Sequence, residues 1–266
     1  MLLDGINPFI LTNVVSRRIV VEIDWVAGTP PTPEAVQAVE DVLRQHCPVD
    51  KQVDVRVDDE IALEQWTAAG DRPGLERLVA RFLDHDPSRW REAEVVYVLY
   101  APDSQPWYGK TLSGMTDWVV FDHAGEARTV RTLMLFTGKI RRDAWLWITP
   151  PKVERATLVH EMGHVLGLVG NPLHTQSRHP GHCTRSRCVM NQPGTRSLLV
   201  NALPAFFAGH VPHRFGRRCL EDIQAAKSLW AAHESSAEVF AERLRAERAE
   251  REASIFARWR VERERP

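Results

Sequence analysis

The apolar and polar positions of this chain alternate first. In RRIVVEIDWVAG (17–28), Val20, Glu22 and Asp24 fall on one side of a pleat and Val21, Ile23 and Trp25 on the other, which predicts a strand. TPPTP then turns the chain. From Glu34 to His46 the apolar residues Val36, Val39, Val42 and Leu43 recur at helical spacing. KQVDVRVDDEI (51–61) alternates again and predicts a second strand, and GLERLVARFLDH (74–85) a short amphipathic helix. EAEVVYVLYA (92–101) is nearly all apolar, as a strand buried on both faces must be. TDWVVFDHAG (116–125) and RTLMLFTGKI (131–140) read as two more strands, and a helix follows over about 151–168. A strand–helix–strand start, further strands and a late helix predict an α/β (α+β) fold with a twisted, mostly parallel sheet.

The character changes after residue 191. Residues 219–233 carry Leu220, Ile223, Ala226 and Trp230 on one helical face. From Ser236 onward the chain is mostly Ala, Glu and Arg, with pairs such as Glu247–Arg251 and Glu242–Arg245 at helical spacing. Sparse apolar residues there predict a solvated charged helix, with self-association through 236–265 as the sharper reading. The pattern divides the chain into an N-terminal segment (1–16), a domain (17–233, an upper part 17–167 and a lower part 168–233) and a charged helical tail (234–266).

Composition narrows the class. The chain has 266 residues, 44% hydrophobic and 26% charged, with a net charge of −1. That balance gives no pull toward nucleic acid or an anionic membrane. Eighteen consecutive apolar residues occur nowhere, so no transmembrane helix is expected. The start lacks a basic leader and carries Asp4 early, so a cytoplasmic protein is expected. Four cysteines, Cys47, Cys183, Cys188 and Cys219, are too few for a disulfide scaffold. Two of them lie in a histidine-rich stretch, which favours a local role.

That stretch, LVHEMGHVLGLVGNPLHTQSRHPGHCTRSRCVMN (158–191), carries the chemistry. His160 and His164 are four apart, so on a helix they share a face and both reach one zinc at about 2.0–2.1 Å. Glu161 sits beside the first, where it can take a proton from a water whose pKa zinc lowers toward about 7. Apolar residues cover the other helix faces, and Gly167 stands where the helix must stop.

HEMGHVLG resembles the metzincin clan of zinc peptidases, whose pattern is H-E-x-x-H-x-x-G-x-x-H followed by a methionine turn. The third histidine would stand at 170, but Gly170 is there. HCTRSRCVM (182–190) is similar to the archaemetzincin pattern, in which the third histidine lies eight residues before the turn methionine. His182 lies eight before Met190. The stretch also resembles bacterial matrixin-like proteins with a longer histidine-bearing link. The resemblance implies one catalytic zinc held by His160, His164 and His182, with His179 and His174 as alternatives. Met190 would be an apolar floor beneath them.

The family also carries a later C-x-x-C for a second, structural zinc. Here only Cys219 follows the turn. Cys183, Cys188 and Cys219 could hold that zinc with a spare histidine such as His210 or His213. Alternatively Cys183 and Cys188 pair as a disulfide or stay reduced. Cys47 reads as a buried helix-end residue. Asn191 stands where some relatives have an assisting tyrosine. His123, Trp107 and Tyr108 are cleft candidates of ordinary core or surface type.

The implied activity is zinc-dependent hydrolysis of peptide bonds, by an endopeptidase or aminopeptidase acting on a peptide or protein. TDWVVFDHAG is the candidate edge strand for an extended substrate. The other class of function is a latent or non-catalytic zinc protein, in which a loop histidine closes the metal site.

Overall fold

The computed structural model describes residues 6–85, 93–108, 112–123, 126–144, 147–177, 179–191, 211–232 and 237–263. Its strands are β1 (Arg18–Val26), β2 (Gln52–Ile61), β3 (Glu94–Ala101), β4 (Gly114–His123) and β5 (Glu126–Phe136). They form one sheet in the order β2–β1–β3–β5–β4. The β1–β2, β1–β3 and β3–β5 pairs are parallel, and only β4 runs antiparallel, against β5. The helices are α1 (Pro8–Leu11), α2 (Pro33–His46), α3 (Leu63–Ala68), α4 (Arg72–Phe82), α5 (Thr137–Asp143), α6 (Pro150–Val165), α7 (Arg217–Ala232) and α8 (Ala237–Arg263).

A parallel sheet must be covered on both faces. Ile19, Val21 and Ile23 of β1 with Val96, Val98, Leu133 and Leu135 meet α2 and α6 on one side. Tyr97, Leu99, Val119, Phe121 and Met134 meet α3 and α4 on the other. β3 is buried along its whole length, as its unbroken apolar run requires. β4 closes one edge of the sheet.

Three departures from the sequence pattern have plain causes. The stretch 131–140 is not all strand: β5 ends at Phe136 and α5 follows. At Gly138 a Cβ would come within 2.6 Å of the Pro102 carbonyl oxygen, so this close turn requires glycine and the extended run stops. The two short helices α1 and α3 escape periodicity because neither completes two turns. Finally, the charged tail is docked. Ala241 and Leu244 are buried. The Arg248 guanidinium pairs with Glu94 at 2.7 Å and lies over the Phe9 ring, Thr129 donates to Glu252, and the Trp259 indole donates to Glu76. Composition shows how few apolar residues the helix has, but not that buried charges await it on the sheet.

The N-terminal segment is likewise part of the core. Ile10 and Leu11 are buried. The Lys51 ammonium donates to the carbonyls of Phe9, Thr12 and Ser16, the last two buried bonds. That arrangement gathers the turns of residues 9–16, which have little secondary structure of their own beyond α1.

Glu22 is buried in β1 and accepts hydrogen bonds from the backbone N–H groups of Asp84 and His85, just beyond α4. Burial raises its pKa to about 7 despite those bonds. The folded chain therefore holds this proton more tightly than the unfolded one. The carboxyl's contribution to stability is full below its unfolded pKa of about 4.5 and is lost as the pH rises through 7. Glu22→Gln should match the parent near pH 4.5 and exceed it at pH 8 by about 2 kcal/mol in urea denaturation. Arg248→Ala should cost about 3 kcal/mol in the same measurement, because it leaves the Glu94 carboxylate buried without its partner.

Candidate metal centre

α6 begins with Pro150 and Pro151 in the first turn, where missing N–H groups cost nothing. Leu158, Val159, Met162 and Val165 bury one face in the core. The helix ends at Leu166, and Gly167 follows with φ +78°, a left-handed conformation glycine adopts without strain. Two backbone ends are tied down from afar: Asn7 donates to the Leu166 carbonyl from its main chain and to Val165 from its side chain. At the other end buried Glu154 accepts from the Thr32 N–H at the start of α2. The histidine-bearing helix is thus fixed at both ends before its histidines are considered.

Three imidazoles converge above α6. His160, His164 and His182 each place a ring nitrogen within 4.8 Å of the others'. The ring centroids are 4.9, 5.1 and 5.3 Å apart. The His160 and His164 Nε2 atoms are 3.2 Å apart. Two ligands about 2.0–2.1 Å from one tetrahedral ion lie about 3.4 Å apart, so the pair fits an ion between them. His160 Nδ1 lies 2.7 Å from the Val189 carbonyl, to which it donates, leaving the Nε2 lone pair free for a metal. His182 Nδ1 lies 3.3 Å from the His179 carbonyl. Burial lowers the pKa of all three, to about 3 for His164, where the other imidazoles and Arg131 add repulsion, and to about 4 for His182. Neutral rings at pH 7 are what a metal needs.

Glu161 is buried beside His160, and burial raises its pKa to about 7. A dication at the three imidazoles would pull it back down. Its Oε2 accepts a 2.8 Å hydrogen bond from the Thr116 hydroxyl of β4. Met190 lies under the helix. A Cβ on Gly163 would come within 2.1 Å of its sulfur, so the glycine inside HEMGH is what admits the methionine. Asn191 donates to the Cys183 carbonyl and braces the turn.

The link between Gly167 and His182 is no free excursion. Val169 has φ +67°, a strained conformation for a β-branched residue, and Thr175 donates to its carbonyl. Asp222 of α7 holds the link twice, accepting from the Asn171 amide at 2.9 Å and from His174 Nε2 at 2.6 Å. Gln176 N–H donates to the His182 carbonyl and Thr184 N–H to that of His174.

This folding separates the histidine alternatives. His174 is buried away from the imidazole triad, and its ligand atom lies within 4.8 Å of the Cys183 and Cys219 sulfurs. Its Nδ1 is buried with no hydrogen-bond partner. The Cys188 sulfur is 3.6 Å from that of Cys219. His174 therefore stands with the cysteine group and apart from the three converging imidazoles. His179 is exposed, and it is its carbonyl that meets His182.

The spare histidine expected beside the cysteines is thus His174. His213 instead turns Nδ1 toward the Val211 carbonyl, and His210 lies outside the described residues. All four cysteines are free thiols, so Cys183 and Cys188 are not paired as a disulfide. Hydrogen bonds from Cys219 and from the Gly216 and Met190 N–H groups hold the Cys188 thiol below its ordinary value, while the same contact and burial push Cys219 up, and burial raises Cys183. Cys47 caps α2, and burial pushes its thiol up to about 11. Trp107 packs on the far side of the sheet, with the α3–α4 core. The side chains of His123 and Tyr108 lie outside the described residues.

Two site residues, Thr116 and Asp222, carry no motif in the sequence. Asp222 lies three residues after Cys219, nearly one helical turn on, and there it holds His174.

No family model matches the chain, and neither does any curated protein. Among solved structures it is similar to an archaemetzincin from Methanopyrus kandleri, with 17% identity over 79% of this chain and 95% of that one, and a TM-score of 0.44.

Metal titration checks the geometry. His182→Ala should weaken zinc binding at the imidazole site by at least 100-fold, whereas His179→Ala should keep parental affinity. Equal effects of the two changes would contradict the arrangement.

Proposed function

We propose that this chain is a zinc-dependent peptidase. The observation that carries the reading is the convergence of three neutral imidazoles, from two separate segments, beside one buried carboxyl group. Zinc held there would supply Lewis acidity for a peptide carbonyl and lower the pKa of a water toward about 7. Glu161 takes a proton from the attacking water. The peptide C–N bond breaks, and the same carboxyl returns that proton to the leaving nitrogen. His160, His164 and His182 would hold the ion, and the Val189 and His179 carbonyls orient two of those rings. A peptide or protein substrate would lie along β4, the edge of the sheet on the Glu161 side. Both endopeptidase and aminopeptidase action are compatible with such an edge.

We further propose a second, structural zinc held by Cys183, Cys188, Cys219 and His174. The orphaned His174 Nδ1 supports it, because a buried imidazole nitrogen without a partner is costly. Asp222 on the opposite ring nitrogen fixes the tautomer and strengthens the ligand. Three thiolates and one imidazole make a closed set, suited to structure and not to catalysis. The latent alternative needs a fourth loop ligand at the first site. His174 is engaged elsewhere and His179 is exposed, which favours the open, catalytic reading.

Purified protein should contain about two zinc ions per chain by elemental analysis. Cys188→Ser should retain about one. Glu161→Gln should keep both ions and lose at least 100-fold in hydrolysis of a quenched-fluorescence peptide library. Parental cleavage by that variant would sink the mechanism.

A further inference from the structure

Two side-chain positions on β4 face Glu161, and both are fitted to it. Thr116 Oγ1 lies 2.8 Å from Glu161 Oε2, and 3.2 Å from the main-chain oxygen of the same residue. Two residues earlier on the same face is Gly114. A Cβ there would come within 2.9 Å of Glu161 Oε1 and 2.7 Å of the Thr157 methyl. One carboxylate oxygen therefore rests over bare backbone and the other receives a hydroxyl proton. Thr116 pairs with Leu133 and Gly114 with Leu135 of β5, so the register of the hairpin fixes both positions relative to α6.

We infer that Thr116 is a positioning residue for Glu161, with Gly114 supplying the clearance the carboxyl needs. This rests on the peptidase reading for its catalytic meaning, though the contact itself does not. A carboxyl group that must first take a proton and then deliver it to a different atom has to be held without being trapped. A single hydroxyl donor on Oε2 does this. It limits rotation of the group and leaves Oε1 to exchange the proton. The edge strand thereby joins the two halves of the reaction: the strand that would align a peptide also aims the base. A misplacement of about 1 Å at a reacting group can cost about 100-fold in rate, so the hydroxyl matters without touching substrate.

The test uses the zinc-loaded full chain and four variants: Thr116→Val, Thr116→Ser, Gly114→Ala and Glu161→Gln. Thr116→Val should keep parental zinc content and lose about 10- to 100-fold in kcat on the peptide library, with KM changed less than about twofold. Thr116→Ser should restore kcat to within about threefold, and Gly114→Ala should resemble Thr116→Val. A second readout needs no activity. In protein labelled with ¹³C at the glutamate carboxyl carbon, the Glu161 resonance is the one absent from Glu161→Gln. It should move in Thr116→Val and return toward its parental position in Thr116→Ser. Parental kcat in Thr116→Val, an effect on KM alone, or an unmoved Glu161 resonance would each overturn the inference. If the parent cleaves no peptide, the peptidase reading fails, and the resonance still decides whether Thr116 holds the carboxyl group.

Discussion

One requirement governs this structure: a third imidazole must be brought to the two on α6 from a segment that has no regular secondary structure. Helical spacing delivers His160 and His164 together at no extra cost. His182 has no such help. Its position depends on a run of local bonds, from the Val189 carbonyl on His160 Nδ1 to the Cys183 N–H on the Met190 carbonyl. The cysteine group stands immediately behind. Cys183 is the next residue after His182, and Cys188 precedes Met190 by two, so whatever holds the sulfurs also holds the third histidine and the turn beneath the helix. In a loop this long, closure entropy grows only slowly with added residues, but the ordering of each residue must still be offset by contacts. Buried His174, bound to Asp222, supplies some of those contacts.

Both ends of that arrangement reach far into the chain. Asn7 meets the last carbonyls of α6, Lys51 gathers the carbonyls behind Asn7, and Asp222 projects from α7 to the link. None of these contacts is local in sequence, which is why the arrangement of the three imidazoles depends on a folded sheet and cannot be carried by the motif segment alone. The charged helix α8 adds a further tie beside Lys51, through Arg248, which pairs with Glu94 and lies over the Phe9 ring. No helix among the described residues is long and apolar enough to cross a membrane.

Much of this was legible in the sequence, and the reason is periodicity. α2 and α6 announce themselves because their burial repeats every 3.6 residues, and β1 and β3 because their burial is nearly continuous, whereas β2, an edge strand with only Ile61 buried, is legible from its alternating sequence alone. The H-E-x-x-H spacing fixed attention on α6 for the same geometric reason. What periodicity cannot express is a relation between distant single residues. Thr116 lies in a strand whose pattern says only that alternate residues face inward. His174 looks like one more loop histidine until its burial and its Asp222 partner are seen. The docking of α8 was hidden because it uses ion pairs and an indole in place of an apolar stripe, so the sequence signature of a solvated helix and of this docked one are nearly the same.

The link between Gly167 and His182 and the cysteine group are connected. Gly170 has no side chain to offer, and the imidazole that meets His160 and His164 comes from His182, farther along the chain. On its way to His182 the link passes α7 and leaves His174 beside the Cys183 and Cys219 sulfurs. Asp222, three residues beyond Cys219, then receives the far nitrogen of that ring at 2.6 Å. The strained Val169 fits the same picture: the link must turn sharply toward α7 as soon as it leaves Gly167, and a left-handed residue there makes the turn. Without the link's histidine, Asp222 would lose that partner, and the Cys183 and Cys219 sulfurs would have no imidazole beside them.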